Sequence, residues 1–177
     1  MNRLAALLFV ILLLPSQAFA ASAQEINAKS NQALKELYRH SSAGKELVAK
    51  AAGVLIFPEV YKAGIGIGGE YGEGALRIGG KTVGYYNVAS ASIGFQLGAQ
   101  IKSEIILFMS QEALQKFRSS DGWEAGVDGS VAVATIGAGG EIDSNTIQQP
   151  IIGFIFSNKG LMYNLSIEGS KITRIDR

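Results

Sequence analysis

Gly53–Gly74 reads GVLIFPEVYKAGIGIGGEYGEG, and this stretch decides the fold. Val54–Phe57 has strand length and β-rich composition, and Pro58 is expected to close it. Beyond it, glycine recurs at nearly every second position. In a strand this strips side chains from one face and lets another backbone approach closely. Ile65–Glu70 recurs as Ile136–Glu141, with Ala138 in place of Ile67. Both copies predict tightly curved or closely packed strands. Gly64-x-Gly66-x-x-Gly69 has the spacing of a dinucleotide fingerprint, but Glu70-Tyr71-Gly72-Glu73-Gly74 cannot open the helix that fingerprint needs, so the glycines are read as structural.

Downstream, β-compatible segments cover Ala63–Tyr71, Gly74–Ile78, Thr82–Ala91, Ser92–Ala99, Glu104–Met109, Gly129–Thr135, Ile151–Ser157, Leu161–Ile167 and Lys171–Ile175. Gly79-Gly80 and Asn158-Lys159-Gly160 supply turns. Ser110–Arg118 reads as a helix with Ser110 as N-cap and Leu114 and Phe117 facing inward. Upstream, Ile26, Leu34, Leu37 and Tyr38 fall on one side of a helix over Glu25–His40. Gly44 is expected to interrupt it, Lys45–Ala52 to resume it, and Gly53 to cap its end. The expected fold is α+β: N-terminal helices packed on a strongly curved, barrel-like antiparallel β-sheet, with one further helix.

Residues 1–20 read as a secretory signal peptide: Arg3, the apolar run Leu4–Leu14, Pro15, then Ala18-Phe19-Ala20. The run is short of the roughly 20 residues that span a bilayer. A second Ala-x-Ala, Ala21-Ser22-Ala23, leaves the cut open between Ala20 and Ala23. Residues 21–177 are then one domain, periplasmic or secreted. The chain has no cysteine, so disulfides and thiolate metal ligands are excluded, as is a lipid-carrying cysteine at the cleavage site. The leader holds one of the 16 basic residues, so the remainder balances its 15 acidic residues. That neutrality argues against nucleic acid as a partner.

Catalytic and cofactor signals are weak. His40 is the only histidine, which leaves little for a triad or a multi-histidine metal site. No nucleophile elbow, phosphate-binding loop or calcium-loop spacing occurs, so no cofactor, metal or enzymatic activity is expected. Glu70 and Glu73 could serve acid and base roles, with Asp128, Glu141 or Asp143, but glutamates in so glycine-rich a strand more often pair with Lys or Arg. Tyr61, Trp123 and Tyr163 lie near predicted turns, where amphipathic rings suit a membrane interface or a cavity rim.

With Gly53–Gly74, the segments VGYYNVASAS (Val83–Ser92), GFQLGAQ (Gly94–Gln100), SDGWE (Ser120–Glu124), KGLM (Lys159–Met162) and GSKIT (Gly169–Thr173) form an ordered series that resembles the SYLF domain family. The resemblance implies a lipid-binding module, whose eukaryotic relatives recognise phosphoinositides and some of whose fungal relatives bind actin. An exported chain does not meet actin, so the partner implied is an anionic phospholipid or membrane surface. Basic residues near such a surface contribute about 1 kcal/mol each. The candidates are Lys35, Arg39, Lys45 and Lys50 on the helices, Lys62 beside Tyr61, and Lys171 near the final strand, each of which also reads as a solubilising charge. Two other readings stand: a structural or protein-interaction domain with incidental lipid affinity, and an outer-membrane barrel, which the short, helix-interrupted strands disfavour.

Overall fold

In the computed structural model the described residues are 20–134, 142–157, 160–161 and 166–177, with backbone alone at 65–66, 92–99 and 160–161. The leader reading, the second glycine repeat and Tyr163 therefore lie outside the described residues. Helix α1 (Ala23–His40) begins at Ser22, whose hydroxyl accepts from the Glu25 amide. Ser41 ends α1 and caps α2 (Ser42–Lys50). Gly44 thus sits inside α2 rather than between the helices. Ala51 is the cap residue of α2, and the expected cap glycine, Gly53, instead opens the first strand.

Two very long strands dominate. β1 (Gly53–Ile78) and β2 (Lys81–Phe108) form an antiparallel hairpin closed at Gly79 and Gly80, both with positive φ. Several expected short strands are thus one continuous pair. Pro58 does not end the first of them. It lies in a register shift between Phe57 and Val60, where a residue without an N–H is tolerated.

β2 carries β1 along one edge. Along the other it holds β7 (Lys171–Ile175) near its start and β5 (Ile151–Ser157) near its end. The remaining described strands are β3 (Trp123–Glu124) on β7, β4 (Ala132–Val133) on β5 and β6 (Gly160–Leu161) on β5. The β4–β5 pair is parallel, so the sheet is not wholly antiparallel. Helix α3 (Gln111–Ser119) has the expected Ser110 cap. A short α4 (Ser144–Ile147), unforeseen in the sequence, is capped by Asp143.

The long hairpin curls back on itself, and its alternating glycines allow this. A Cβ at Gly74 would lie 2.6 Å from Phe57 Cδ1 and against the Ile56 carbonyl. One at Gly72 would lie 2.7 Å from the Glu59 carbonyl. The second half of β1 therefore crosses directly over its first half. The curl gives the sheet an inner and an outer face. Inside, Leu55, Phe57, Leu76, Val88, Ile106 and Phe108 pack with Leu114 and Phe117 of α3 and with Trp123. Outside, Val54, Ile56, Ile105, Leu107, Ile152 and Phe154 pack under Ala33 and Leu37 of α1 and Leu47 of α2. Because both faces are covered there, the runs Val54–Phe57, Ile105–Phe108 and Ile151–Phe156 are apolar without alternation. Trp123, 2 % exposed, is a core residue rather than a membrane-interface ring.

Candidate functional site

Helix α1 lies on the outer face through polar contacts. Asn27 Nδ2 donates to the Tyr85 hydroxyl (2.8 Å), Thr82 Oγ1 donates to Asn27 Oδ1 (2.8 Å), and Arg77 Nη1 donates to Asn31 Oδ1 (2.7 Å). Between α1 and the sheet runs a cleft of about 720 Å³ whose walls include Lys29, Glu36, Arg39 and Glu59, with Ile101 and Phe156 among the apolar lining. A second hollow of about 460 Å³, lined by Tyr61, Tyr71, Glu73 and Ala21 among others, shares Lys29, Pro58 and Glu59 with it. Lys29 Nζ bridges Glu25 Oε1 (2.8 Å) and Glu59 Oε2 (2.7 Å). Its hydrogen bonds to those carboxylates hold the ammonium well above the usual lysine range. The Tyr61 hydroxyl donates to Glu59 (3.0 Å), which pushes the phenol up.

Among the described residues, the outer face beyond α1 is exposed. Tyr61 and Ile101 are cross-strand neighbours, 50 % and 54 % exposed, and Ile67 is 75 % exposed. Ala63, Gly69, Tyr71, Ala89 and Ala91 are exposed along the same two strands. The pattern is inverted relative to an ordinary surface strand, because here the charges point inward. Lys62 Nζ lies 3.0 Å from Glu70 Oε1, Glu70 Oε2 lies 2.7 Å from Lys102 Nζ, and Lys102 Nζ lies 2.9 Å from Glu104 Oε1. Burial works against the Glu70 carboxylate, but hydrogen bonds from Lys102 and Lys62 outweigh it and hold its pKa low. Glu104 is pushed up by burial, only partly countered by Lys102, and its Oε2 has no hydrogen-bond partner among the described residues.

Residues 89–176 match the family described as Las17-binding protein actin regulator, Ysc84. This is the SYLF family that the sequence resembles, and the match is to its Ysc84 domain. None of the curated proteins compared with it matches. The Ysc84 span starts within β2 and takes in α3, β5 and β7, while α1, α2 and β1 precede it. Of the sequence candidates, only Lys171 falls inside that span.

The structure separates those candidates. Lys35, Lys45 and Lys50 are exposed on α1 and α2. Arg39 pairs with Glu36 at 3.2 Å while its side chain stays 71 % exposed. Lys171 is exposed on β7, in register with Ala89 of β2 and Glu124 of β3. Tyr61 belongs to the bare outer face. Lys62 does not join these: it turns into the curl and is held by Glu70, because side chains alternate along β1 and Lys62 shares the face of buried Val60.

Glu70 and Glu73 do not converge as an acid–base pair. Glu70 serves Lys62 and Lys102, whereas Glu73 binds Arg177 and the Tyr71 hydroxyl. His40 is exposed at the end of α1, 3.0 Å from Glu36. Among the described residues no group of three or more His, Asp or Glu is placed to hold a metal ion, and no helix is long and apolar enough to cross a membrane. Sequence reasoning missed Lys29, Ile67, Ile101 and the Lys102–Glu104 pair. The usable signal was register: Lys102 and Glu104 fall at the same period of two as core residues Ile106 and Phe108, which sends Ile101 to the opposite side.

Proposed function

We propose that this domain is non-catalytic and associates peripherally with an anionic lipid surface in the cell envelope or outside the cell. The observation that carries the reading is the bare apolar face of the β1–β2 hairpin around Tyr61, Ile67 and Ile101. Exposed apolar residues grouped on one face mark interaction surfaces. Fully burying an isoleucine contributes about 1.5–3 kcal/mol. Lysines near anionic headgroups add about 1 kcal/mol each, and Lys35, Lys45, Lys50 and Arg39 remain exposed for that role. The location rests on reading residues 1–20 as a secretory leader.

The family's description as Las17-binding favours a second reading, in which the same face meets a protein. Sedimentation of the protein lacking residues 1–20 with neutral and anionic vesicles, at low and moderate salt, separates the two. Pelleting with anionic vesicles that weakens with salt is expected. Protein that stays in the supernatant throughout overturns the lipid reading and leaves the protein-binding one.

A further inference from the structure

Glu73 gathers donors from both ends of the described chain. The Ala21 amide nitrogen lies 3.2 Å from Glu73 Oε2, and Arg177 Nε lies 3.3 Å from the same oxygen. Arg177 Nη2 also binds Glu73 Oε1, to which the Tyr71 hydroxyl donates at 2.9 Å. One residue beyond Ala21, Ser22 holds the start of α1: its Oγ accepts from the Glu25 amide (3.1 Å) and its carbonyl from the Ile26 amide (2.9 Å).

We propose that a signal peptidase cuts the Ala20–Ala21 bond and that the α-ammonium created at Ala21 pairs with Glu73. This rests on the leader reading of residues 1–20 and decides between the two cuts that the sequence leaves open. Cutting after Ala23 removes Ser22 and both of its acceptors. It also places a positive amine in the first turn of α1, where the helix end already carries partial positive charge. Cutting after Ala20, an exposed residue, keeps the cap intact. It turns a neutral N–H donor into a charged one facing a carboxylate, the stronger kind of hydrogen bond. In the hydrolysis the C–N bond breaks, water oxygen goes to the Ala20 carboxylate, and the nitrogen leaves on Ala21 and takes up a proton. Besides Arg177, the charged groups around the hollow are Glu25, Lys29 and Glu59, with the hydroxyls of Tyr61 and Tyr71. Lys29 is already engaged by Glu25 and Glu59.

The test is to express the full chain in a secreting bacterial host and measure the intact mass of the exported protein. An N-terminus at Ala21 is expected. An exported protein beginning at Gln24 overturns this inference and leaves the leader reading standing, whereas an uncut chain overturns both. Capture by Glu73 is read from the pH dependence of acylation at the new amine, followed on the N-terminal peptide by mass spectrometry. The amine is expected to titrate above the ordinary range of about 7.7–8.0, and to return toward it in Glu73→Gln. An ordinary value in the unaltered protein overturns the pairing, and this measurement does not require the variant to fold.

Discussion

Lys102 and Glu104, two residues apart on β2, meet inside the curl at 2.9 Å with side chains only 5 % and 1 % exposed. Glu70 closes on the same ammonium from β1 at 2.7 Å. Breaking a buried pair strands the remaining charge and costs about 3–5 kcal/mol, while replacing both partners by apolar residues is often neutral. Lys102→Ala is expected to destabilise by about 3 kcal/mol in urea unfolding. The double variant Lys102→Met/Glu104→Leu recovers most of that loss, since Glu70 keeps Lys62.

The same groups set the response to acid. For Glu70 and Glu73, burial raises the carboxyl pKa, but hydrogen bonds from Lys102 and Lys62, and from Arg177 and Tyr71, bring both below the ordinary 4.5. A carboxyl depressed in the folded state contributes stability above its unfolded pKa and loses it as pH falls through the folded value. Urea midpoints are therefore expected to fall as pH drops below 4.5. Glu104 runs the other way, since burial holds its proton above 4.5. Its contribution declines as pH rises from there through the folded value, and Glu104→Gln removes that decline.

Glycine substitutions distinguish close approach from turn geometry. Gly74→Ala drives a methyl group into Phe57 and the Ile56 carbonyl, at a cost of about 3 kcal/mol by the measure of overpacked cores. Gly79, at φ 57°, has nothing near its would-be Cβ. Asparagine tolerates the left-handed region, so Gly79→Asn is expected to change the thermal midpoint little. Both are read by thermal unfolding.

Vesicle binding and stability should part company at the bare face. Ile67→Asp and Ile101→Asp are expected to abolish sedimentation with anionic vesicles, while far-UV circular dichroism and the urea midpoint stay close to the parent, because both side chains stand mostly in solvent. Lys35→Glu weakens pelleting by about fivefold to tenfold at low salt, in line with about 1 kcal/mol per cation and the repulsion of the new charge. Lys62→Glu behaves differently. It places a carboxylate against Glu70, so its unfolding midpoint drops whether or not vesicles are present.

Several features were legible without coordinates. Ser110 and the Leu114/Phe117 spacing define α3, Ile151–Ser157 and Lys171–Ile175 stand as read, and Gly79-Gly80 closes the hairpin. These depend on contacts a few residues long, such as capping, turn chemistry and β-branched runs. The candidate site was less legible. Lys35, Arg39, Lys45 and Lys50 are exposed as helix periodicity suggests, but Lys62 and Trp123 point into the core, and Ile67 and Ile101 went unnoticed.

The sequence by itself determined the α+β class, the local caps and turns, the glycine pattern that lets strands approach, and the family resemblance, because each follows from residues near one another in the chain. Only the tertiary structure decided that β1 and β2 are each one long strand and that β1 folds over itself. That crossing brings Gly74 onto Ile56 and Glu70 onto Lys102. Strand alternation states that neighbouring residues face opposite ways but not which way is inward. Closure of the curl settled this by burying Lys62, Glu70, Lys102 and Glu104 as mutual partners and leaving Tyr61, Ile67 and Ile101 to the solvent.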